Sequence, residues 1–495
     1  MAEHPRRIVM LVQNGVTGDS RVQKEAESAA AAGYEVVLLG ASPSGKAEEW
    51  TLGEATVRLV PVNRVFDRRR HEMRRGWLRS PLAYPPGPLA AYRQRQARAW
   101  RTDLDTARAQ GSSPLALAPR EAAYRAFWGW TGLRRKATRK LEADRAAAKG
   151  GADRLAAGFW KATMGDRAWR RLDPALWDLE LSFGPVVDEL RPDLIHANDF
   201  QMLGVGARAK LRAEAAGRDV KLVWDAHEFL PGMKSWKSHP WWKDAQLGHE
   251  REFAPYADAV VTVSELLAEM LRDRHGLAEL PEVVMNVPDT SGSVEQPVPG
   301  LRERCGIGPG VPLMVYSGAP LEQRGLHILV EALPDLPGVH AALIVSYPQW
   351  RYVKRTQERA AELGVADRVH VLEYVPHRQV VPFLSEADLG VIPIHHWGNH
   401  EISLITKFFE YSHARIPVVV SDVKTMSGLV HRTGQGEVFT AEDTADFTRA
   451  VRAVLDDPET YRKAYAERVP LGEWTWDAQA KRLTDLYGRL LGAAT

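Results

Sequence analysis

Apolar residues fall along this chain in two alternating patterns. Short uninterrupted runs, such as RIVMLVQ over Arg7–Gln13 and the β-branched Val418-Val-Val420, read as strands buried on both faces. Segments with apolar positions three and four apart read as helices. Arg7–Gln13 leads through the loop Asn14–Asp19 into a helix from about Ser20 to Ala32, ended by Gly33, and then a strand over Tyr34–Leu39. A strand, helix, strand unit of this kind implies a parallel sheet. After residue 180 the alternation resumes, with strand runs ending at His196, Asp225, Ser264 and Met285 and a helix over Glu265–Arg274. The Pro/Gly/Ser-rich stretch Pro288–Gly300 reads as a linker. A second series of strands follows at Leu313–Gly318, Ala341–Val345, Val369–Leu372, Leu389–Ile392, Val418–Ser421 and Glu437–Phe439, and Trp474–Tyr487 closes the pattern as an amphipathic helix. The expected fold is α/β, with two doubly wound Rossmann-like domains over 1–290 and 291–470 and a terminal helical segment over 471–495. Such sheets place ligands at the carboxyl ends of their strands, in the cleft between domains.

Composition adds bounds. At 495 residues, 45% apolar and 26% charged, the chain has the make-up of an ordinary globular protein of two domains with room for an extra segment. Cys305 is the one cysteine, which excludes an intramolecular disulfide framework and a cysteine-based metal cluster and fits a reducing cytoplasm. No long apolar stretch opens the chain and no run of eighteen apolar residues exists, so neither a secretory signal nor a membrane span is expected. The net charge of +2 conceals an asymmetry: residues 64–171 hold 26 Lys/Arg against 9 Asp/Glu, together with six tryptophans from Trp77 to Trp169. This segment reads as several helices inserted into the first domain, broken at Tyr84–Pro88. Three readings fit it: contact with an anionic membrane surface where lipid-linked acceptors reside, binding of a phosphorylated or acidic acceptor, or a helical lid whose arginines pair with acidic surface elsewhere. No nucleic-acid-binding module pattern is present, and no nucleic-acid partner is expected.

The densest chemistry lies in Ser403–Asp422. It reads as a polar helix start, a short helix, a break at Pro417 and a buried strand. Ser403 and Thr406 are expected to cap the helix, leaving backbone N–H groups near its start, with the Lys407 cation beside them and the Glu410 carboxylate about one turn on. Together these could hold a diphosphate and a sugar hydroxyl, although a surface helix of any α/β protein shows the same pattern. Gly318 ends a strand and precedes Glu322-Gln-Arg-Gly325; a glycine admits close phosphate approach and Arg324 can bind it bidentately, while a solvated arginine in a turn reads equally. His227 and Glu228 follow the strand ending at Asp225, and His196 ends the strand before that. Either histidine could be a satisfied structural residue. The loop Asn14–Asp19 has the spacing G-x-x-G, which fails the dinucleotide fingerprint. His395, His396 and His400 lack a supporting carboxylate or cysteine spacing, and no Asp-x-Asp element is present, so no metal is expected.

The Ser403–Asp422 segment resembles the donor-site helix of retaining glycosyltransferases of family 4, which have the GT-B fold. In that family a Glu, seven residues and a second Glu precede an apolar-Pro-Val-Val strand. Glu410 matches the second Glu, which implies contact with a nucleotide ribose, whereas the first falls at Ile402, one position from Glu401. The order Ser403-Leu404, two residues, Lys407, two apolar residues and Glu410-Tyr411 matches a variant branch. Arg324 stands where the family has a phosphate-binding Lys, and Ala319 where it has an Arg. The resemblance covers most of 5–60 and 185–490 and not the insert. It implies a metal-independent glycosyltransferase that needs no cofactor and uses a nucleotide-diphosphate sugar as co-substrate, with retention at the anomeric carbon. His227 would orient the sugar, its other nitrogen held by Asp225 or Glu228. Gly15, Gly318, Ser403 and Leu404 would line the donor with Arg324, Lys407 and Glu410. Asn14, Arg21, His196, Glu228, Asn399 and His400 would lie near acceptor or sugar, and Arg21 could equally sit in a salt bridge. The acceptor is left open, with lipid-linked and natural-product compounds both compatible; the protein is expected in the cytoplasm, and a peripheral contact at the inner membrane face through 64–171 is one of the three readings of that segment. A GT-B epimerase or phosphorylase, or a degenerate binding module lacking the residues replaced by Ile402 and Ala319, are the competing readings.

Overall fold

The computed structural model of the chain describes residues 5–66, 80–85, 87–147, 149–235, 240–289 and 299–492. Trp77 and most of the expected linker, residues 290–298, lie outside them. The described chain divides into two compact units. One comprises Met1–Pro61, Gly184–Met233 and Phe253–Thr495, and the other Val62–Phe183 with Lys234–Glu252. The helical unit is therefore wider than the basic insert at 64–171 and takes in a second stretch that charge and tryptophan content did not single out.

The larger unit holds two sheets. The first has eight strands: β1 (Arg7–Leu11), β2 (Glu35–Ala41), β3 (Glu48–Leu52), β4 (Ala55–Val60), β5 (Leu194–Asn198), β6 (Lys221–Ala226), β7 (Ala259–Thr262) and β8 (Glu282–Val283). Their order is β3-β4-β2-β1-β5-β6-β7-β8, parallel throughout except for the antiparallel β3–β4 pair. The second has six parallel strands, β9 (Leu313–Ser317), β10 (His340–Val345), β11 (Val369–Glu373), β12 (Leu389–Ile392), β13 (Val418–Ser421) and β14 (Gly436–Phe439), ordered β11-β10-β9-β12-β13-β14. Both orders reverse about the strand that comes first in sequence, so the carboxyl ends of β1 and β5, and of β9 and β12, are the switch points at which such sheets place ligands. The β3–β4 hairpin was not among the strands expected from the sequence. It turns through Gly53, whose φ of +56° suits a residue without a side chain.

The central strands are buried, wholly in β9 and β12 and from Ile8 onward in β1, which is why they read as continuous apolar runs. On the second sheet, Tyr411 of the Thr406–His413 helix lies over Gly390 of β12, where a Cβ would come within 2.5 Å of its ring. The Tyr411 hydroxyl accepts from the Ser317 N–H at 2.9 Å and donates to the Val315 carbonyl at 3.2 Å. That one residue fixes the helix against the end of β9. The helix Trp476–Leu491, capped by Thr475 on the Ala478 N–H, packs along the Ser20–Ala31 helix. There Trp476 Nε1 donates to Ser28 Oγ at 2.9 Å, and Gln479 Oε1 accepts from the Met285 N–H at 2.9 Å.

The smaller unit is helical. Its long helices Leu89–Ala109 and Pro114–Ala147 bury Ala97, Leu104, Leu117 and Leu141, and Trp100 lies 5.5 Å from Phe127. Trp169 belongs to its core: it is 0% exposed, stands 5.0 Å from His249, and donates from Nε1 to Glu252 at 2.6 Å. Its place in the cluster of six tryptophans is thus a packing role.

Candidate active site at the strand ends

Gly318 follows β9 with φ +136°, and a Cβ there would stand 2.9 Å from Lys407 Nζ. The missing side chain leaves room for the ammonium. Lys407 occupies the first turn of the Thr406–His413 helix and is 8% exposed, with Nζ lacking any hydrogen-bond partner and set 3.8 Å from the Tyr316 ring centroid. A buried ammonium on an aromatic face keeps only part of what it loses in leaving water. Burial, reinforced by Arg324, accordingly pushes Lys407 well below the ordinary lysine value, against the pull of Glu410.

Arg324 ends the turn Glu322–Arg324 and is half-buried. Gly325 behind it has φ +68°, and a Cβ there would lie 2.0 Å from the Pro393 carbonyl, so only glycine can make this turn. Among the described residues, neither the Arg324 guanidinium nor the Lys407 ammonium has a carboxylate hydrogen-bonded to it. Two cations thus converge at the end of β9 with no counter-ion in contact. The helix start adds to them. Its N-cap is Ile405, without a side-chain cap bond, so the expected capping by Ser403 and Thr406 is not what forms. A separate short helix, Gly398–Ile402, precedes it, and Ser403–Ile405 run extended between the two. The uncapped N–H groups point the positive end of the helix toward the two cations' neighbourhood.

Glu410, one turn on, is 3% exposed. Burial pushes its carboxyl up to about 7 against the pull of Lys407 and Lys24. Lys24, from the Ser20–Ala31 helix, hydrogen-bonds Asn286 Oδ1 at 3.2 Å and lies 4.4 Å from the Trp476 ring centroid; burial and then Arg21 push it down to about 8. Lys24 was not singled out from the sequence, although it falls on the inward face of its helix among Val22, Ala26 and Ala29. His400 is buried, and its Nδ1 donates to the His395 carbonyl at 2.7 Å; burial pushes it down and Arg324 adds to that, so its ring stays neutral with Nε2 free to act on a ligand. Leu404 borders a separate cavity of 820 Å³, lined also by Ser264, Met285 and Trp474, that includes neither Arg324, Lys407 nor Glu410. The loop before it is tied down where Ser264 Oγ donates to the Ile402 carbonyl at 2.7 Å.

At the ends of β5 and β6 sits a second group of charges. Arg21 is 3% exposed; it bonds Asp225 through Nε and Nη2 at 2.9–3.0 Å, the Val284 carbonyl at 2.7 Å, and pairs with Glu25 at 3.0 Å. Its guanidinium is spent inside the fold and does not face a phosphate. His196 is 0% exposed, with Nδ1 2.7 Å from the Tyr487 hydroxyl, and sits behind the site as a structural member. Glu25, His196 and Asp225 form a set of metal-ligand type, but Arg21 already supplies the cation to both carboxylates. His227 is half-buried, with Nε2 3.0 Å from Asp225 and Nδ1 3.2 Å from Asp199. Burial pulls its imidazole down, yet Asp225 and Asp199 outweigh that and hold it well above the ordinary value. Its second carboxylate is Asp199, not Glu228, which stands exposed. Asp199 has φ +62°, a strained conformation for a residue with a side chain, and it aims the carboxylate at the ring.

The loops from the two sheets meet. Trp397 Nε1 donates to the Gly232 carbonyl at 3.0 Å, and a Cβ at Gly232 would lie 2.9 Å from Asn399 Oδ1. The segment after His227 therefore abuts the turn carrying Asn399 and His400, and Asn399 Oδ1 is buried without a partner. Asn14 holds its own loop, accepting from the Val16 N–H at 2.8 Å and donating to Asp19 at 2.7 Å, with Gly15 packed on Pro43.

Residues 300–468 match the family described as glycosyl transferases group 1, and residues 160–291 match glycosyltransferase family 4. The D-inositol 3-phosphate glycosyltransferase of Xylanimonas cellulosilytica is 26% identical over 251 residues, which are 48% of this chain and 59% of that enzyme, so the match spans less than two thirds of that relative's length. Among solved structures, sucrose-phosphate synthase from Thermosynechococcus elongatus superposes with a TM-score of 0.61 at 16% identity, covering 99% of this chain and 100% of that one. Anabaena HepE in complex with UDP-glucose superposes with a TM-score of 0.56 at 16% identity, covering 98% and 100%. The shared fold is the two-domain GT-B arrangement.

Proposed function

We propose that the chain, whose matched segments are those of group 1 and family 4 glycosyltransferases, moves a sugar from a nucleotide-diphosphate donor to an acceptor hydroxyl in the cytoplasm, with retention at the anomeric carbon. The observation that carries this reading is the pair Arg324 and Lys407, two cations without a carboxylate in contact, beside an uncapped helix start. When the bond from sugar C1 to the diphosphate breaks, the electron pair leaves with the phosphate oxygen. Preorganised cations and backbone N–H groups at that point stabilise the developing charge, and one such donor is typically worth about 3–4 kcal/mol. With two cations and a helix start in place, no metal is needed for this step. Glu410 accepts from the ribose hydroxyls in its ionised form. The imidazolium of His227, anchored at Nε2 by Asp225, offers its Nδ1 edge to a sugar hydroxyl that displaces Asp199. That HepE was solved with UDP-glucose makes UDP the first nucleotide to try.

The test is a thermal-shift series with UDP, GDP, ADP and TDP and their sugars, followed by product analysis with candidate acceptors in EDTA. A nucleotide present at a hundred times its dissociation constant stabilises the protein by about 2.7 kcal/mol. A shift with one nucleotide, lost in Arg324→Ala, and transfer that persists in EDTA are expected. No shift with any nucleotide would overturn the reading in favour of a degenerate binding module, and free nucleotide released without an acceptor would favour an epimerase.

A further inference from the structure

The helical unit carries a surface that the donor site does not use. Of the sixteen large apolar side chains that stand exposed among the described residues, ten lie in this unit. Its sequence holds 30 Lys/Arg against 15 Asp/Glu. The two features coincide on the Pro114–Ala147 helix. Leu115 (89% exposed), Trp130 (50%) and Leu133 (48%) share one side of it, with the exposed Ala118, Ala122 and Ala126 between them at spacings of three and four. That stripe spans the 19 residues Leu115–Leu133, about 27 Å at 1.5 Å per step, without a charged side chain. It then continues on the same side into Lys136 and Lys140, which are exposed and have no carboxylate partner among the described residues. The acid next along that side is Asp144.

We propose that this face docks on an anionic phospholipid bilayer, with Leu115, Trp130 and Leu133 in the interfacial region and Lys136 and Lys140 on the lipid phosphates. A helix with an apolar side and cations at its border lies in the plane of such a surface. No helix of the described residues is long and apolar enough to cross the membrane, so the contact is peripheral. Charge favours an anionic surface over a second copy of the chain as occupant, because the unit that carries this face is itself strongly basic. Arg134 is held by the Leu82 and Ala83 carbonyls and the Tyr84 ring, and it borders the face with its guanidinium 6.0 Å from the Trp130 ring centroid.

The experiment uses the full chain and sedimentation with vesicles of phosphatidylcholine alone or mixed with phosphatidylglycerol. Binding to the mixed vesicles, weakened by salt, is expected, with little to phosphatidylcholine alone. At about 1 kcal/mol per lysine near the surface, Lys136→Glu with Lys140→Glu should weaken binding by at least roughly tenfold. Trp130→Ser with Leu133→Ser should weaken it similarly and reduce quenching of tryptophan fluorescence by brominated acyl chains. Circular dichroism unchanged in each variant separates these effects from misfolding. Equal vesicle binding by wild type and both variants would overturn the proposal. So would an absence of vesicle binding combined with a dimer in analytical ultracentrifugation that Trp130→Ser with Leu133→Ser dissociates, which would assign the face to a second copy.

Discussion

Replacing Glu410 by Gln removes a carboxyl that the fold holds against its ionised form. The side chain is 3% exposed, and burial lifts it from the ordinary 4.5 to about 7 although Lys407 and Lys24 pull the other way. In the unfolded chain the carboxyl loses its proton near 4.5; in the folded protein it keeps it to about 7. Between those values the native state binds the extra proton, so native stability falls as pH rises through the window and levels off above it. Each pH unit is worth about 1.4 kcal/mol, which makes the cost at pH 8 about 3 kcal/mol. Gln carries no such charge. The melting temperature of Glu410→Gln should therefore exceed that of the wild type by a margin that grows between pH 4.5 and 7, reaching at most roughly 10 °C for a cooperative unit of domain size. Differential scanning fluorimetry of the ligand-free proteins at closely spaced pH values reads this directly. A margin that stays constant across the range, or a variant less stable than the wild type at pH 8, would refute the reasoning. The same variant should lose the nucleotide-induced shift.

Three further outcomes follow from the same geometry. Burial holds Lys407 below its ordinary value, so carrying its charge costs stability, and that cost is relieved as pH rises from its folded value toward the ordinary one; Lys407→Met should melt higher than wild type at pH 7 yet show no titratable nucleotide binding by calorimetry. Asp199 helps hold the His227 imidazolium, so Asp199→Asn should lower the His227 value and move the alkaline limb of the kcat/KM profile to lower pH, whereas His227→Gln should cut kcat by at least roughly tenfold with KM less affected. Gly325→Ala would place a Cβ 2.0 Å from the Pro393 carbonyl at a φ of +68°, so Arg324 should be displaced and donor affinity should fall by at least about tenfold in calorimetry.

The sheets were legible because their central strands are buried on both faces and leave continuous apolar runs. The β3–β4 hairpin was not, because Glu48–Leu52 is an edge strand, largely exposed, with a mixed sequence, and its turn pairs Gly53 with Glu54 rather than with a second turn-forming residue. Lys407 and Glu410 were legible as a cation and a carboxylate one turn apart on a short helix. The start of that helix was not, since Ser403 and Thr406 have the right chemistry for caps but the chain re-enters the helix from an extended Ile405. The charges around His227 were hidden for a different reason. Arg21 and Asp225 are 204 positions apart, and nothing local to Arg21 distinguishes a surface arginine from one buried against Asp225 at the end of β6. Trp169 shows the converse error. A tryptophan inside a basic segment reads as an anchor for a partner, and burial against His249 gives it a different role.

The two groups of charges differ in a way that separates structure from function. Around Arg21 the guanidinium is matched to Asp225, Glu25 and the Val284 carbonyl, and charges so matched inside a fold are spent on holding it together. Around Gly318 the balance is left open. Lys407 is buried and unpaired, Arg324 adds a second cation, and Glu410 sits beside them with its carboxyl held toward the neutral form. A buried, uncompensated charge is unstable unless a ligand completes it. The ligand we propose for it carries at least one negative charge and fits between a glycine backbone and a helix start. It also offers hydroxyl groups to an ionised Glu410, which give the carboxyl a gain from losing its proton. A nucleoside diphosphate meets all three conditions at once, with the phosphates on the cations and the ribose on the carboxylate. Inorganic phosphate meets only the first two. Wild-type protein should therefore distinguish UDP from inorganic pyrophosphate by more than Glu410→Gln does, and equal discrimination by the two proteins in calorimetry would detach Glu410 from the ribose.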